Sequence, residues 1–572
     1  MTDEREKRIE EVRRIGRFDA IIVGGGINGI GVFRELALQG LKVLLVERGD
    51  FCSGCSAAPS RMIHGGLRYL ENGEFSLVRE SLLERDALLA NAPHMVRPLA
   101  TTIPITSVFS GLMNAAAGFF AGRGKPARRG ALPVKLGLSL YDWVTRKNRV
   151  LPTHRFRNAA ETFRIWPELT RELRYSASYH DAWISYPERL GIELILDARN
   201  PAAIALNYAE IAPTGDTFTI TDTLTQSTAE ISARLVINAT GAWLDETARL
   251  LSSGSESRER LVSGTKGSHL IIDSPPLFKA LGGHMMFFEN TDGRVCIVFP
   301  YLGKVLAGST DIRIEKPERV RCEDAERDYI IGALKLLFPR IAITPDDVVF
   351  SYSGIRPLPE SDQAFTGRIS RGHSTVRLEG APPQLCMVGG KWTTFRAFAE
   401  QTADMALEEL GVTRSRETRF LAIGGGAGMP AEPETLEAEL VERFGIDRSR
   451  ARHLVDLYGT RSRAVMKFCS ARADDIALDD TTMITEAEIA FLIRHEFAAR
   501  LSDLVLRRTP LAITGVLNDD HIEKITARAA AELGWSDQRR GGEVRDLLDE
   551  LEAYYGVTRT MLERRTQRRR NQ

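Results

Sequence analysis

The chain lacks any run of about eighteen apolar residues, so no segment of it reads as a helix that spans a bilayer. It lacks an excess charge of either sign as well: 76 lysines and arginines face 76 aspartates and glutamates. No global field draws such a molecule to nucleic acid, and any contact with an anionic surface has to be local. Cysteine is sparse, with six in 572 residues: Cys52, Cys55, Cys296, Cys322, Cys386 and Cys469. Cys52 and Cys55 form one C-x-x-C, but no second pair or His-x-His completes a zinc site. No metal is expected, and the thiols read as reduced. The opening "MTDEREKRIEEVRRIGR" has no apolar core of a secretory signal, so a cytoplasmic setting is the simplest reading. No internal repeat is visible.

What is present is 43% hydrophobic and 27% charged residues, ordinary values for a soluble globular protein, in a chain long enough for two or three domains. The first strong element is "FDAIIVGGG", a buried parallel strand running into glycines. A helix follows to Leu38, Gly40 ends it, and "LKVLLVER" is the next strand, which completes a βαβ unit. Gly24-x-Gly26-x-x-Gly29 sits at the first strand-to-helix junction, with Ile27 and Asn28 inside it. Gly24 allows the tight turn, Gly26 lets a pyrophosphate approach the backbone, and Gly29 lets the helix pack on the strand. The helix N-terminus then offers N–H groups and a favourable dipole to phosphates. Glu47, with Arg48 beside it, ends the second strand 23 residues after Gly24, where an acid accepts hydrogen bonds from a ribose.

The chain returns to two distant glycine turns, "NATGAW" with Thr240 and Gly241, and "GGKWTTFR". A cofactor longer than NAD, whose ring reaches a separate substrate sheet, would use such loops, and this favours FAD. Alternating runs such as "SHLIID", "RVCIVFP" and "KVLAGSTD" predict an antiparallel sheet outside the nucleotide domain. The expected division is a charged leader at 1–17, an oxidoreductase domain at 18–415, a Gly/Pro-rich linker at 416–435 and a helical domain at 436–572. Within the oxidoreductase domain a discontinuous cofactor part (about 18–100, 190–263 and 350–415) alternates with a substrate part (about 101–189 and 264–349). The basic "RRTQRRR" near the end reads as a solvated tail.

Taken together, "GGGINGIG", "IHGGLRYLENGEFSLVRESLLERDALL", "KGSH", "GSTD", "YSGIRPL" and "GGKWTTFR" resemble the FAD-dependent glycerol-3-phosphate dehydrogenases of aerobic bacteria and mitochondria. "LSDLVLRRT" and "ELGWSDQRRGGEV" resemble that family's helical extension, so the likeness runs from about residue 18 to 557. The resemblance implies an α/β fold: a Rossmann-like FAD-binding domain with an antiparallel-sheet substrate domain, as in D-amino-acid and glycine oxidases, plus a C-terminal all-helical domain. It implies oxidation of sn-glycerol 3-phosphate to dihydroxyacetone phosphate by hydride transfer to flavin, with electrons passed to a membrane quinone or, in some relatives, to oxygen. It places Arg68 and Tyr69 of "GGLRY", His269 of "KGSH", Arg356 of "SGIRPL" and Lys391 of "GGKWTTFR" in the substrate site, with Arg371 of "ISRGH" on the phosphate side. For the cofactor it implies Ser56, Ser60, Arg61, His64, Gly65 and Gly66, then Gly354, Gly390, Lys391, Trp392 and Thr393. The sequence departs from the family's pattern in two places. In "CSGCSAAPSR", Cys55, Ala57 and Pro59 replace hydroxyls and Arg61 replaces a common lysine. In "HDAWISYPERL", Ser185, Tyr186, Pro187 and Glu188 replace a usual Asp-Asp-Ala-Arg-Leu stretch. The first bears on the FAD phosphate contacts and the second on the substrate domain; together they leave open which substrate is taken.

The residue types suit the chemistry. Oxidation of a secondary alcohol needs a base for the hydroxyl proton, and His64 and His269 both have intrinsic pKa values near neutrality. A phosphate dianion needs fixed cations, and Arg68, Arg356, Arg371 and Lys391 supply them. The stretch "ITSVFSGLMNAAAGFFAGRGKPARRG", around 105–129, spaces Ile105, Val108, Phe109, Leu112, Met113, Ala116, Phe119 and Phe120 along one helix face, and Arg123, Lys125, Arg128 and Arg129 follow. That layout fits an interfacial helix on the cytoplasmic face of an inner membrane. The alternatives left open are a dehydrogenase of another polyol phosphate such as a tetritol phosphate, an oxygen-using oxidase and a flavin-binding sensor. A second copy of the chain remains an open partner.

Overall fold

The computed structural model describes residues 2–66, 74–106, 150–252, 259–361, 369 and 371–571, together with Val134 and Leu138. Arg17–Val23 is the central strand of an eight-stranded sheet. It pairs in parallel with Val43–Val46 on one side and Thr228–Asn238 on the other. Ala203–Leu206 and Gln384–Gly389 extend the parallel set at the two ends, and His373–Leu378 closes one edge antiparallel. The central strand alternates between two cores. Ala20 and Ile22 meet the helices Ile27–Leu38 and Phe395–Leu410, whereas Ile21 and Val23 meet Ile9 and Val12 of the helix Thr2–Ile15. Cover on both faces is why the strand reads as an unbroken apolar run. The charged leader is therefore a packed helix, and its buried Arg5 is held by Asp222 at 2.7 Å.

The second sheet has ten strands. Val262–Ile272 lies between Lys304–Gly308 and Val348–Pro359, both antiparallel to it. The sheet is mixed rather than wholly antiparallel, because Met285–Glu289 runs parallel to Val96–Ile105. The strand Val348–Pro359 falls in this sheet, with Gly354 reaching the cofactor cleft, and so does Val96–Ile105.

Helices from Pro433–Phe444 to Arg559–Arg570 form the C-terminal unit, and its core is continuous with Ile271, Phe299 and Tyr352 of the second sheet. The Gly/Pro-rich stretch before it is tied down rather than slack. Gly424 N–H donates to Asp197 at 2.8 Å, and Gly425 N–H donates to Glu193 at 2.9 Å. The basic end is also no free tail: it is helical, with Arg565 donating to the Val349 carbonyl at 3.0 Å and Arg569 to Asp479 at 3.2 Å.

Candidate active site

A cleft of about 990 Å³ opens at the carboxyl ends of the parallel strands, where Val23, Val46, Ala239 and Gly389 reach its wall. Ligands of open α/β sheets bind at this edge. Gly24 takes φ +106°, and a Cβ there would stand 2.7 Å from the Ala239 carbonyl oxygen. At Gly29 a Cβ would lie 2.0 Å from the Gly24 carbonyl oxygen, so this glycine serves helix–strand packing. The helix Ile27–Leu38 has Gly26 at its N-cap and no side-chain cap; its Ile27 N–H donates to Ser56 Oγ at 2.9 Å. Glu47 accepts from the N–H groups of Gly25 and Gly49, both at 2.7 Å. Burial raises its carboxyl, and those two N–H groups oppose the rise. A glycine-lined backbone, an uncapped helix start and an acid at the second strand's end are the donor and acceptor set that a dinucleotide requires.

Gly24, Gly26, Ile27, Asn28, Glu47 and Arg48 line the cleft, and so do Ser56, Thr240 and Gly241. Gly354, Gly390, Lys391 and Trp392 line it too. Arg48 stacks its guanidinium over Trp243 at 4.7 Å. The turn "GGKWTT" joins the fingerprint to the histidine-glycine-glycine segment. Asn28 donates to the Gly389 carbonyl at 3.1 Å, Trp392 Nε1 donates to the Ser56 carbonyl at 3.0 Å, and Thr393 Oγ1 accepts the His64 N–H at 3.2 Å. Gly65 N–H donates to Asp181 at 2.9 Å, and Arg85 reaches the same carboxylate oxygen at 3.1 Å. Gly66 takes φ +78° where the segment leaves the sheet.

Lys391 belongs both to the cleft and to the cationic group beyond it. Its ammonium donates to Ser81 Oγ at 2.9 Å, and burial lowers it to about 7 although Glu80 and Glu74 oppose this. Burial, then Lys391, Arg371 and Arg85, bring His64 down to about 3.

His269 and Arg356 lie on adjacent strands, His269 opposite Tyr352 and Arg356 opposite Thr265. Two glycines make room for them. A Cβ on Gly267 would fall 1.9 Å from the Arg356 guanidinium, and one on Gly308 would fall 2.3 Å from the His269 ring. This is a steric reason for glycine in "KGSH" and "GSTD". The His269 ring stacks on Tyr352 at 5.0 Å, is 1% exposed, and neither ring nitrogen has a hydrogen-bond partner among the described residues. Burial, then Arg356 and Arg61, lower its pKa to about 3, so the imidazole is neutral. Arg356 donates to the Thr310 carbonyl at 3.2 Å, Asp311 at 3.1 Å and Ser309 Oγ at 3.2 Å. Arg371 approaches the other oxygen of Asp311 at 3.6 Å.

Other expectations fall elsewhere. Arg61 does not line the cleft: its guanidinium pairs with Glu188 at 2.8 Å and lies against the faces of Tyr301 and Tyr352. A buried guanidinium needs a counter-ion, so the two departures from the family pattern, Arg61 and Glu188, form one ion pair. Ser60 is half-buried and is not in the cleft wall. Arg68 and Tyr69, and 107–129 of the amphipathic stretch, lie outside the described residues. Sequence reasoning did not single out Asp311, Ser81, Asp181 or Tyr352. Asp311 stood inside the quoted "GSTD", but only the fold shows that Arg356 and Arg371 converge on it.

Residues 19–405 match the family described as FAD dependent oxidoreductase, and residues 416–540 match the C-terminal domain of alpha-glycerophosphate oxidase. A Synechocystis sp. protein named glycerol-3-phosphate dehydrogenase is 34% identical over 522 residues, which covers 88% of this chain and 90% of that one. The D-erythritol 1-phosphate dehydrogenase of Brucella abortus is 31% identical over 502 residues, 86% of this chain and 94% of its own. Among solved structures, the glycerol-3-phosphate dehydrogenase from Bacillus halodurans complexed with FAD shares the fold at a TM-score of 0.72, over 96% of this chain and 97% of that one, with 24% identity. The family match gives FAD as the cofactor, a dinucleotide that the cleft's donor set suits, and the chain belongs to the FAD-dependent glycerol-3-phosphate dehydrogenase family.

Proposed function

We propose that the protein oxidises a short polyol phosphate at its secondary hydroxyl, with sn-glycerol 3-phosphate as the first substrate and dihydroxyacetone phosphate as the product. The observation that carries this is the buried, neutral His269, whose ring nitrogens have no partner among the described residues and whose pKa the Arg356 charge helps to lower. Bound FAD supplies a two-electron acceptor for the hydride of the alcohol. In this reading Gly24, Gly26, Glu47, Ser56, Gly390 and Trp392 hold the cofactor. Arg356 and Arg371 grip the phosphate, and Lys391 adds a third cation at the junction with the cleft. An unpartnered nitrogen of His269 takes the hydroxyl proton. A dianion seated between the arginines offsets the charge that depresses the imidazole, so substrate binding itself makes His269 a better base. His64 has the same depressed pKa, and its backbone N–H is tied to Thr393.

Anaerobic bleaching of the flavin by sn-glycerol 3-phosphate tests the reading, and absence of bleaching sinks it. The Brucella relative supports a second reading, oxidation of a four-carbon polyol phosphate. Faster bleaching by D-erythritol 1-phosphate than by glycerol 3-phosphate would select it. The amphipathic spacing of residues 105–120 followed by basic residues supports a peripheral contact with an anionic membrane surface, which in this reading is the cytoplasmic face of the inner membrane, with a quinone there as the electron acceptor. Flotation with anionic liposomes, lost on Phe119→Glu with Phe120→Glu, tests that contact.

A further inference from the structure

The cofactor cleft has a wall that the fingerprint does not account for. Glu543, Asp546, Glu550 and Tyr554 of the helix Asp537–Tyr555 line it together with Glu47 and Arg48, and so does Arg319 from the loop before the helix Asp324–Leu337. The C-terminal unit is tied to the cofactor part at Asp50, which holds Arg507 at 2.6 Å and Arg508 at 2.8 Å on the turn Asp503–Arg508, and the helix itself is fixed to the substrate sheet by Tyr555, whose ring stacks on Phe350 at 4.9 Å. A further connection runs between the helix and the substrate domain's loop. Arg319 is ion-paired with Glu550, and its guanidinium carbon lies 3.8 Å from the Tyr554 ring centroid.

We propose that Arg319, Glu550 and Tyr554 form a clasp at the Glu47 end of the FAD site, so that the C-terminal domain helps to retain the adenosine half of the cofactor. An exposed ion pair contributes little to the fold. A pair joining two walls that part when a ligand leaves acts instead on the release rate. The planar guanidinium suits the position, because one group meets the carboxylate through its edge and the aromatic ring through its face. The Arg319 side chain is 50% exposed and that of Glu550 17%, so salt reaches the pair.

The test is the rate of FAD release from diluted holoenzyme, read as recovery of flavin fluorescence. Arg319→Ala and Glu550→Gln should each speed release about tenfold, and the double variant should be no faster than the quicker single one. Raising salt from about 20 mM to about 0.5 M should speed release from the parent protein more than from either variant. Arg319→Lys, which keeps the charge but loses the stack, should fall in between. Release within about twofold of the parent in both variants, or a salt response as large in them as in the parent, overturns the proposal. The readout is independent of the substrate oxidised, so it stands or falls apart from the proposed reaction.

Discussion

Asp311 stands between Arg356 and Arg371, one carboxylate oxygen 3.1 Å from the first and the other 3.6 Å from the second. Two guanidiniums held by one carboxylate are set at a fixed spacing, which a single ion pair would not achieve. Of these three side chains two are cationic and one anionic, which leaves one positive charge for the phosphate of the proposed substrate.

Arg371→Ala should therefore raise KM for the polyol phosphate by about 10- to 100-fold, the loss of one charge-assisted hydrogen bond to the dianion, while kcat changes little. Steady-state kinetics decide this. An unchanged KM would remove Arg371 from the phosphate site.

His269 offers a different signature. Its ring touches Tyr352 and occupies the space that Gly308 leaves, and no described residue satisfies its nitrogens. Replacing it with alanine should slow anaerobic flavin reduction by about 10²- to 10⁴-fold, the range for a lost general base. The protein should stay yellow, because the cofactor contacts lie in the cleft. Stopped-flow reduction at saturating substrate is the measurement, and a rate equal to the parent's would assign proton removal to another group.

Lys391 carries a pH dependence whose sign can be worked out. Burial lowers its pKa from 10.5 to about 7, so the ammonium is lost as pH rises through neutrality. Phosphate binding that uses this cation weakens above pH 7, and KM should climb there. Stability moves the other way. Between about 7 and 10.5 the unfolded chain holds a proton that the folded one does not, so this lysine's contribution to stability grows with pH over that window. Lys391→Arg keeps its charge and should erase the inflection in KM near neutrality. If the inflection persists in that variant, the titrating group is not Lys391.

Much of this architecture was legible in the chain because it rests on local rules. The fingerprint, the buried strand before it and Glu47 follow from one βαβ unit, and the structure places them as that unit requires. Contacts between segments far apart in the chain left no such trace. Lys391 finds Ser81, Arg371 finds Asp311, and Arg508 finds Asp50, each through tertiary packing that no periodicity encodes. The extent of the substrate sheet is hidden in the sequence for a related reason. Val348–Pro359 has the glycine and proline content of a turn-rich connector, yet it pairs along the length of Val262–Ile272.

Arg61 and Glu188 are the sharpest case of such pairing, since each alone looked like an unexplained departure. Both are buried, with Arg61 donating to both Glu188 oxygens and to the Ser185 carbonyl. Glu188→Ala would leave a cation inside the fold, stacked between Tyr301 and Tyr352, and should cost about 3–5 kcal/mol of stability. Removing both charges, as Arg61→Met with Glu188→Leu, should recover most of that loss, because a buried pair repays little more than its own desolvation. Thermal unfolding of the two variants beside the parent checks this. A double variant as unstable as Glu188→Ala would mean that Arg61 is needed for the shape it gives Tyr352, and hence His269, rather than for neutralising Glu188.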